Sequence, residues 1–287
     1  MFKNKHFSHL LELNISMLFI STSGALGRYV DLPVFVTIGV RALLALFFLL
    51  FYCKWKGISL KIAKKHIGII LISGVLMGVH WLTYFYSLRL SNVAIGMLSL
   101  FTYPVITAFL EPILLKTKLQ KVHLLLGLLV LLGICFLVPD FDIHNSNTLA
   151  VAVGVFSALL YALRNLILKT KVETYNGSML MCYQMGVIGF ILLPTLFTVE
   201  FNTVLLQWQG ILALALLTTA IGHTLFLNSF RHFSITTVSI LGSVQPVFGI
   251  IIGAILLKEI PAMNTIFGGI LILSSVVIES VRSYKKE

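Results

Sequence analysis

The chain has 287 residues, of which 58% are hydrophobic and only 11% charged, with a mean hydropathy of +1.00. Soluble domains carry roughly 25% charged residues, so a water-soluble globular fold is excluded. The net charge of +11 raises nucleic-acid binding, but the cations are scattered over the ends of apolar segments rather than gathered with aromatics on one face, which excludes a DNA or RNA partner.

Segments long enough to cross a hydrocarbon core of roughly 30 Å follow one another with short polar breaks. There are ten, at about 10–28, 33–53, 66–88, 92–115, 122–139, 149–168, 178–199, 208–230, 235–257 and 264–282. The first has a basic start and a small-residue stretch like a secretory leader, but Glu12 and Asn14 interrupt it, so it reads as a helix that is kept. The second carries Arg41, roughly 12 Å from its outer end. The third places His80, Tyr84 and Ser87 on one face beside Trp81. In the fourth, Ser99, Tyr103, Thr107 and Glu111 recur at successive fours around Pro104. The sixth holds Tyr161, Arg164 and Asn165, the eighth His223, Thr224 and Asn228, and the ninth Ser239, Ser243, Gln245 and Pro246. Cys53, Cys135 and Cys182 have no metal-ligand spacing and read as packing residues.

With alternating helices and a cytoplasmic amino terminus, sixteen of the 21 Lys and Arg residues fall in cytoplasmic segments, as the positive-inside rule expects. Both termini are therefore predicted to be cytoplasmic, in a multi-pass protein of the inner or plasma membrane. Glu12, Glu111 and Arg164 then fall in the cytoplasmic third, and an ion pair between Arg164 and one of the two acids is expected.

Sliding the chain against itself by 142 positions aligns Ser87 with Ser229, Arg89 with Arg231, Pro104 with Pro246, Lys116 with Lys258 and Gly127 with Gly269, all without a gap. The same offset lays the first segment on the sixth and the second on the seventh. The predicted fold is thus all-α, ten transmembrane helices in two five-helix repeats, residues 1–143 and 144–287. Five is odd, so the second repeat enters the membrane inverted, the arrangement in which two halves open one central site alternately to each side. Pro104 and Pro246 are expected to kink their helices at equivalent depths and to act in gating.

The segment LPVFVTIGVRALLALFFLL with Arg41, the stretch GVHWLTYFYSLRLSNVAIGMLSLFTYPVITAFLEP, and the stretch SITTVSILGSVQPVFGIIIGAILLKEIPAMNTIFGGILIL resemble the EamA branch of the drug/metabolite transporter superfamily over essentially the whole chain. The most specific piece is Pro246 with the Lys258-Glu259 turn and the Gly-rich helix after it; the first repeat departs, with Thr117 opposite Glu259. The resemblance implies a ten-helix carrier, often an exporter, of small metabolites such as amino acids.

Polar side chains in hydrocarbon usually face a cavity or the bundle interior. His80, Trp81, Tyr84, Tyr103, Tyr161, Asn165, Asn228, Ser243 and Gln245 are therefore the predicted substrate-binding set, with Glu12, Arg41, Glu111 and Arg164 as intramembrane charges. Trp81, Tyr84, Tyr103 and Tyr161 suggest walls that stack on a flat or cationic group, and His80 suits proton coupling. The expected function is a proton-linked or facilitative carrier, a monomer or weak dimer in the bilayer, with no cofactor and no metal. A membrane-embedded enzyme is the alternative, yet no phosphate loop, zinc-binding His pair or nucleophile elbow is present. A channel is disfavoured by the inverted repeats.

Overall fold

In hydrocarbon the backbone can satisfy its own amides only in helices or closed barrels. A computed structural model describes residues 2–115, 121–137, 142, 144–233, 238, 242 and 244–284, and every regular element among them is helical. The first three helices are α1 (Phe2–Tyr29), α2 (Val34–Trp55) and α3 (Lys64–Leu90). They are followed by α4 (Val93–Leu100), α5 (Tyr103–Leu115), α6 (Lys121–Leu137), α7 (Ser146–Lys169) and α8 (Gly177–Leu192). A 3₁₀ stretch, Leu193–Thr198, extends α8, and α9 is the short Phe201–Leu206. Then α10 (Trp208–Ala213), a π-helical segment Leu214–His223 and α11 (Thr224–Ser229) form one continuous length. The last two helices are α12 (Gln245–Leu257) and α13 (Met263–Tyr284).

Among the described residues, seven helical lengths are long and apolar enough to cross a membrane, and three shorter apolar helices accompany them, at Leu124–Leu137, Gln245–Leu257 and Met263–Ile278. Polarity is inside out relative to a soluble protein: Ser16, Ser73, Ser99 and Ser157 are fully buried while Phe47, Phe51, Phe190 and Ile255 are more than 60% exposed. That is the distribution a lipid solvent demands.

Asparagine starts three helices. The side chains of Asn92, Asn145 and Asn176 accept from the backbone N–H of Ile95, Asn147 and Ser178 at 2.8–2.9 Å, satisfying donors the first turn leaves open. Lys258 ends α12 in the left-handed conformation, φ 58°, a cost that a non-glycine residue bears only where the surroundings impose it. The turn delivers Glu259 to the ends of α1 and α4.

At the fourth predicted segment, one kinked helix is replaced by two, α4 and α5, joined by a turn at Phe101–Thr102. Pro104 is the second residue of α5, where a helix has no use for its missing N–H, so it starts a helix rather than bending one. Thr102 repairs the turn, its N–H and hydroxyl both reaching the Ser99 carbonyl at 3.3 and 2.8 Å. Pro246 likewise occupies the first turn of α12.

The interior is organised by α3 packing along α7, and α1 packing along the π-helical segment and α12. Around them α4 lies on α7, α2 on α8, and α6 on α13. The α6–α13 contact is backbone to backbone: a Cβ at Gly268 would lie 2.6 Å from the Gly133 carbonyl oxygen, the close approach that small residues permit in membranes. Gly268→Ala is expected to cost about 1–3 kcal/mol through overpacking, read as a lower thermal midpoint in detergent; an unchanged midpoint would mean the helices do not meet at this point.

Candidate functional site

Six helices and the π-helical segment send side chains to one narrow central cavity. It is lined by Ile20 and Ser23 of α1, His80, Trp81 and Tyr84 of α3, and Met97 and Leu100 of α4. Phe101 of the turn, Tyr103 of α5, Tyr161 of α7, His223 of the π-helical segment and Gln245 of α12 complete it. Six predicted residues thus meet: His80, Trp81, Tyr84, Tyr103, Tyr161 and Gln245. The free space is about 30 Å³, enough for one or two waters and too little for a metabolite in this conformation.

The aromatic rings order one another. His80 stacks on Tyr161 with centroids 4.6 Å apart, Tyr103 meets Tyr161 edge-on at 5.0 Å, and Trp81 lies 5.5 Å from His223. Ser157 gives its hydroxyl proton to the His80 carbonyl at 2.8 Å, so its oxygen accepts from His80 Nδ1, also at 2.8 Å. This network assigns the Nδ1–H tautomer and leaves Nε2 as the basic atom.

Behind Trp81 lies Arg41, wholly buried, its guanidinium carbon 3.8 Å from the indole centroid. Its Nε and Nη2 donate to Thr219 Oγ1 at 2.7 Å and Thr218 Oγ1 at 2.8 Å. Those two hydroxyls donate in turn to the Leu214 carbonyl at 2.8 and 2.6 Å, so both oxygens are free to accept from Arg41. Consecutive threonines reach one carbonyl because the π-helical winding brings i−4 and i−5 into range; such segments recur at functional sites. The cation on the Trp81 face is therefore the chain's own.

Arg164, the other fully buried guanidinium, corrects an expectation. It pairs with neither Glu12 nor Glu111: Nε and Nη2 donate to Gln184 Oε1 at 3.2 and 2.8 Å and Nη1 to Asn165 Oδ1 at 2.9 Å. Glu111 holds Lys169 at 2.9 Å, and Glu12, half exposed, sits 3.6 Å from His9. Each acid stays near the helix ends where water or a lysine reaches it. Asn165 thus serves Arg164, and Asn228 does not line the cavity; its side chain accepts from Gly177 N at the start of α8, 3.1 Å away. Ser243 and Ser239 lie outside the described residues. His223, Thr218, Thr219 and Gln184 were not in the predicted set; a threonine pair and a lone glutamine within otherwise apolar spans are the sequence signals that mark three of them.

Arginines tie helices together at both ends of the bundle. At one, Arg28 pairs with Glu259 at 2.9 Å and donates to the Leu88 carbonyl at 2.9 Å, while Arg89 donates to the Val30 and Leu32 carbonyls. At the other, Arg231 donates to the Val172 carbonyl at 2.8 Å, and His9 stacks on His232 with centroids 3.7 Å apart. His9 and Arg28 are nineteen residues apart on α1, or about 28 Å, so the two clamps lie at opposite faces.

The EamA-like transporter family matches the chain twice, over residues 10–138 and 148–281. Among curated proteins, the pseudopaline exporter CntI of Pseudomonas aeruginosa is 22% identical over 227 residues, covering 78% of this chain and 79% of that one. The uncharacterized transporter YxxF of Bacillus subtilis is 24% identical over 288 residues, covering 96% and 91%. A crystal structure superposes with a TM-score of 0.70 at 12% identity over 98% of this chain and 99% of the other, which establishes a shared fold. With its apolar helices and a family match over both stretches, the chain belongs to the EamA-like transporter family and is a multi-pass membrane transporter, not an enzyme.

Proposed function

We propose that the chain is a secondary carrier, working as an exporter of a small metabolite, in which two inverted five-helix halves, residues 1–143 and 144–287, expose the central cavity alternately to each side of the plasma membrane. Both termini are cytoplasmic in this reading, and the Arg28 end is exterior. The observation that carries it is the pair of clamps: Arg89 on the Val30 carbonyl and Arg231 on the Val172 carbonyl. The two donors differ by 142 positions and so do the two acceptors, yet the clamps close opposite faces of the bundle.

Other contacts follow the same relation. Ser157 donates to the His80 carbonyl and Ser16 to the Gly222 carbonyl, matching the offset to within one residue. Packing of α3 on α7 has its counterpart in α1 on the π-helical segment, and α5 on α7 in α12 on α1. The double family match adds support. Two equivalent clamps on opposite faces are what alternating access requires, because releasing one while holding the other opens a single side. His80, with Nε2 unprotonated, is the residue proposed to couple transport to protons, and Pro104 and Pro246 are proposed to mark the points where each half flexes.

The test is counterflow in vesicles reconstituted with the purified protein and loaded with labelled amino acids and related metabolites. Expected is saturable exchange of at least one compound, recovered chemically unchanged. Flux that never saturates would mean a channel, and a converted product an enzyme.

A further inference from the structure

Arg41 and Arg164 lie within membrane-crossing helices, each with no exposure. An arginine stays protonated in proteins, and a buried cation is normally retained beside a carboxylate or paired by a ligand. Here every hydrogen-bonding partner among the described residues is neutral: Thr218 and Thr219 for Arg41, Gln184, Asn165 and the Met181 sulfur for Arg164. The carboxylates Glu111 and Glu259 are committed to Lys169 and Arg28, and Glu12 is half exposed beside His9.

Two further observations connect this surplus charge to the cavity. Arg41 Nη1 and His223 Nδ1 are buried with no hydrogen-bond partner among the described residues; the first belongs to the guanidinium lying on Trp81, and the second to a ring that lines the cavity. His80 and His223 are both within electrostatic range of both arginines. The cavity therefore sits in the field of two cations, one from α2 and one from α7, with one unfilled polar valence on its wall, His223 Nδ1, and another behind Trp81, Arg41 Nη1.

We infer that the transported metabolite carries a net negative charge, and that its carboxylate is the missing counter-charge to Arg41 and Arg164. The inference rests on the carrier reading and adds the substrate class to it. The guanidinium fork suits a carboxylate, while the rings of Tyr103 and Tyr161 receive the apolar part. A quaternary amine is repelled by both cations and finds the Trp81 face already taken by Arg41.

The test is the thermal midpoint of the purified protein at fixed sodium chloride and ionic strength, with probes of matched size in which amides replace the carboxylates: succinate against succinamide, glutarate against glutaramide, and citrate against its triamide. A ligand that binds only the folded state raises the midpoint. Expected is a saturable rise with at least one carboxylate, at an apparent affinity about tenfold or more tighter than its amide, as one charge-assisted hydrogen bond provides. Arg41→Gln and Arg164→Gln bring that carboxylate down to the level of the amide, and Arg41→Lys restores part of the difference. Amides that raise the midpoint as much as the carboxylates, or three carboxylates that leave it unmoved, overturn the inference, and this comparison requires no variant to fold. Vesicle exchange separates the two claims. Exchange indifferent to charge keeps the carrier and removes the anion, whereas carboxylate binding without exchange keeps the anion site and removes the carrier.

Discussion

Trp81→Ala is expected to lower stability by about 3–5 kcal/mol, the usual range for removing a buried aromatic, and to abolish transport. Trp81 is the largest fully buried side chain. It forms a wall of the cavity, carries the Arg41 guanidinium on its face at 3.8 Å, and lies beside His223 with ring centroids 5.5 Å apart. Alanine leaves a void beside Arg41 and removes the cation–π contact, a further loss of up to about 2 kcal/mol when desolvated. Trp81→Phe keeps a ring face beneath the guanidinium and should recover most of the stability and part of the flux. The measurements are the thermal midpoint in detergent and counterflow in vesicles at matched protein levels. An alanine variant with normal midpoint and normal flux would remove Trp81 from both roles.

Glu259→Ala should release one end of the bundle. A single carboxylate, 20% exposed, accepts from Arg28 Nε at 2.9 Å and from the Val93 N–H at 2.8 Å, tying α1 and the start of α4 to the turn after α12. Acids at helix starts are also favoured by the helix dipole. Its loss leaves Arg28 with carbonyls only and the Val93 donor unpaired, at a cost of about 1.5–3 kcal/mol for a hydrogen bond to a charged group. In an alternating-access carrier that energy shifts the balance between conformations. An imbalance of about 1.4 kcal/mol changes a population ratio tenfold. A cysteine placed at Ser23, which lines the cavity, in a chain lacking Cys135, should then react about tenfold faster with a membrane-impermeant thiol reagent added from outside. Equal labelling rates with and without Glu259 would show that this contact is no gate.

The residues that the sequence picked out fared differently according to what each depended on. Arg89 and Arg231 were visible as a pair because a charge at the end of an apolar run is conspicuous, and their 142-residue offset needs no geometry. His80, Trp81 and Tyr84 were legible together because helical spacing alone puts them on one side of one helix. Arg164 was misjudged for the opposite reason. Its partner Gln184 belongs to another helix, and proximity in depth suggested acids that in fact face Lys169 and His9. Asn228 was misjudged because spacing cannot tell a residue facing a cavity from one facing the first turn of a neighbouring helix. For Pro104, whether a proline bends a helix or begins one depends on the turn before it, and there Thr102 supplies the replacement bonds.

What the sequence determined by itself is the class: a many-spanning membrane protein with an internal repeat. Hydropathy, charge placement and ungapped self-similarity are local quantities that sum along the chain, and no contact has to be known to read them. The tertiary structure alone decided which polar groups meet. These helices are apolar on most of their faces, so the pattern leaves the rotation of each about its own axis open. Only packing sets that rotation, and with it the convergence of seven elements on one cavity and the burial of Arg41 behind Trp81.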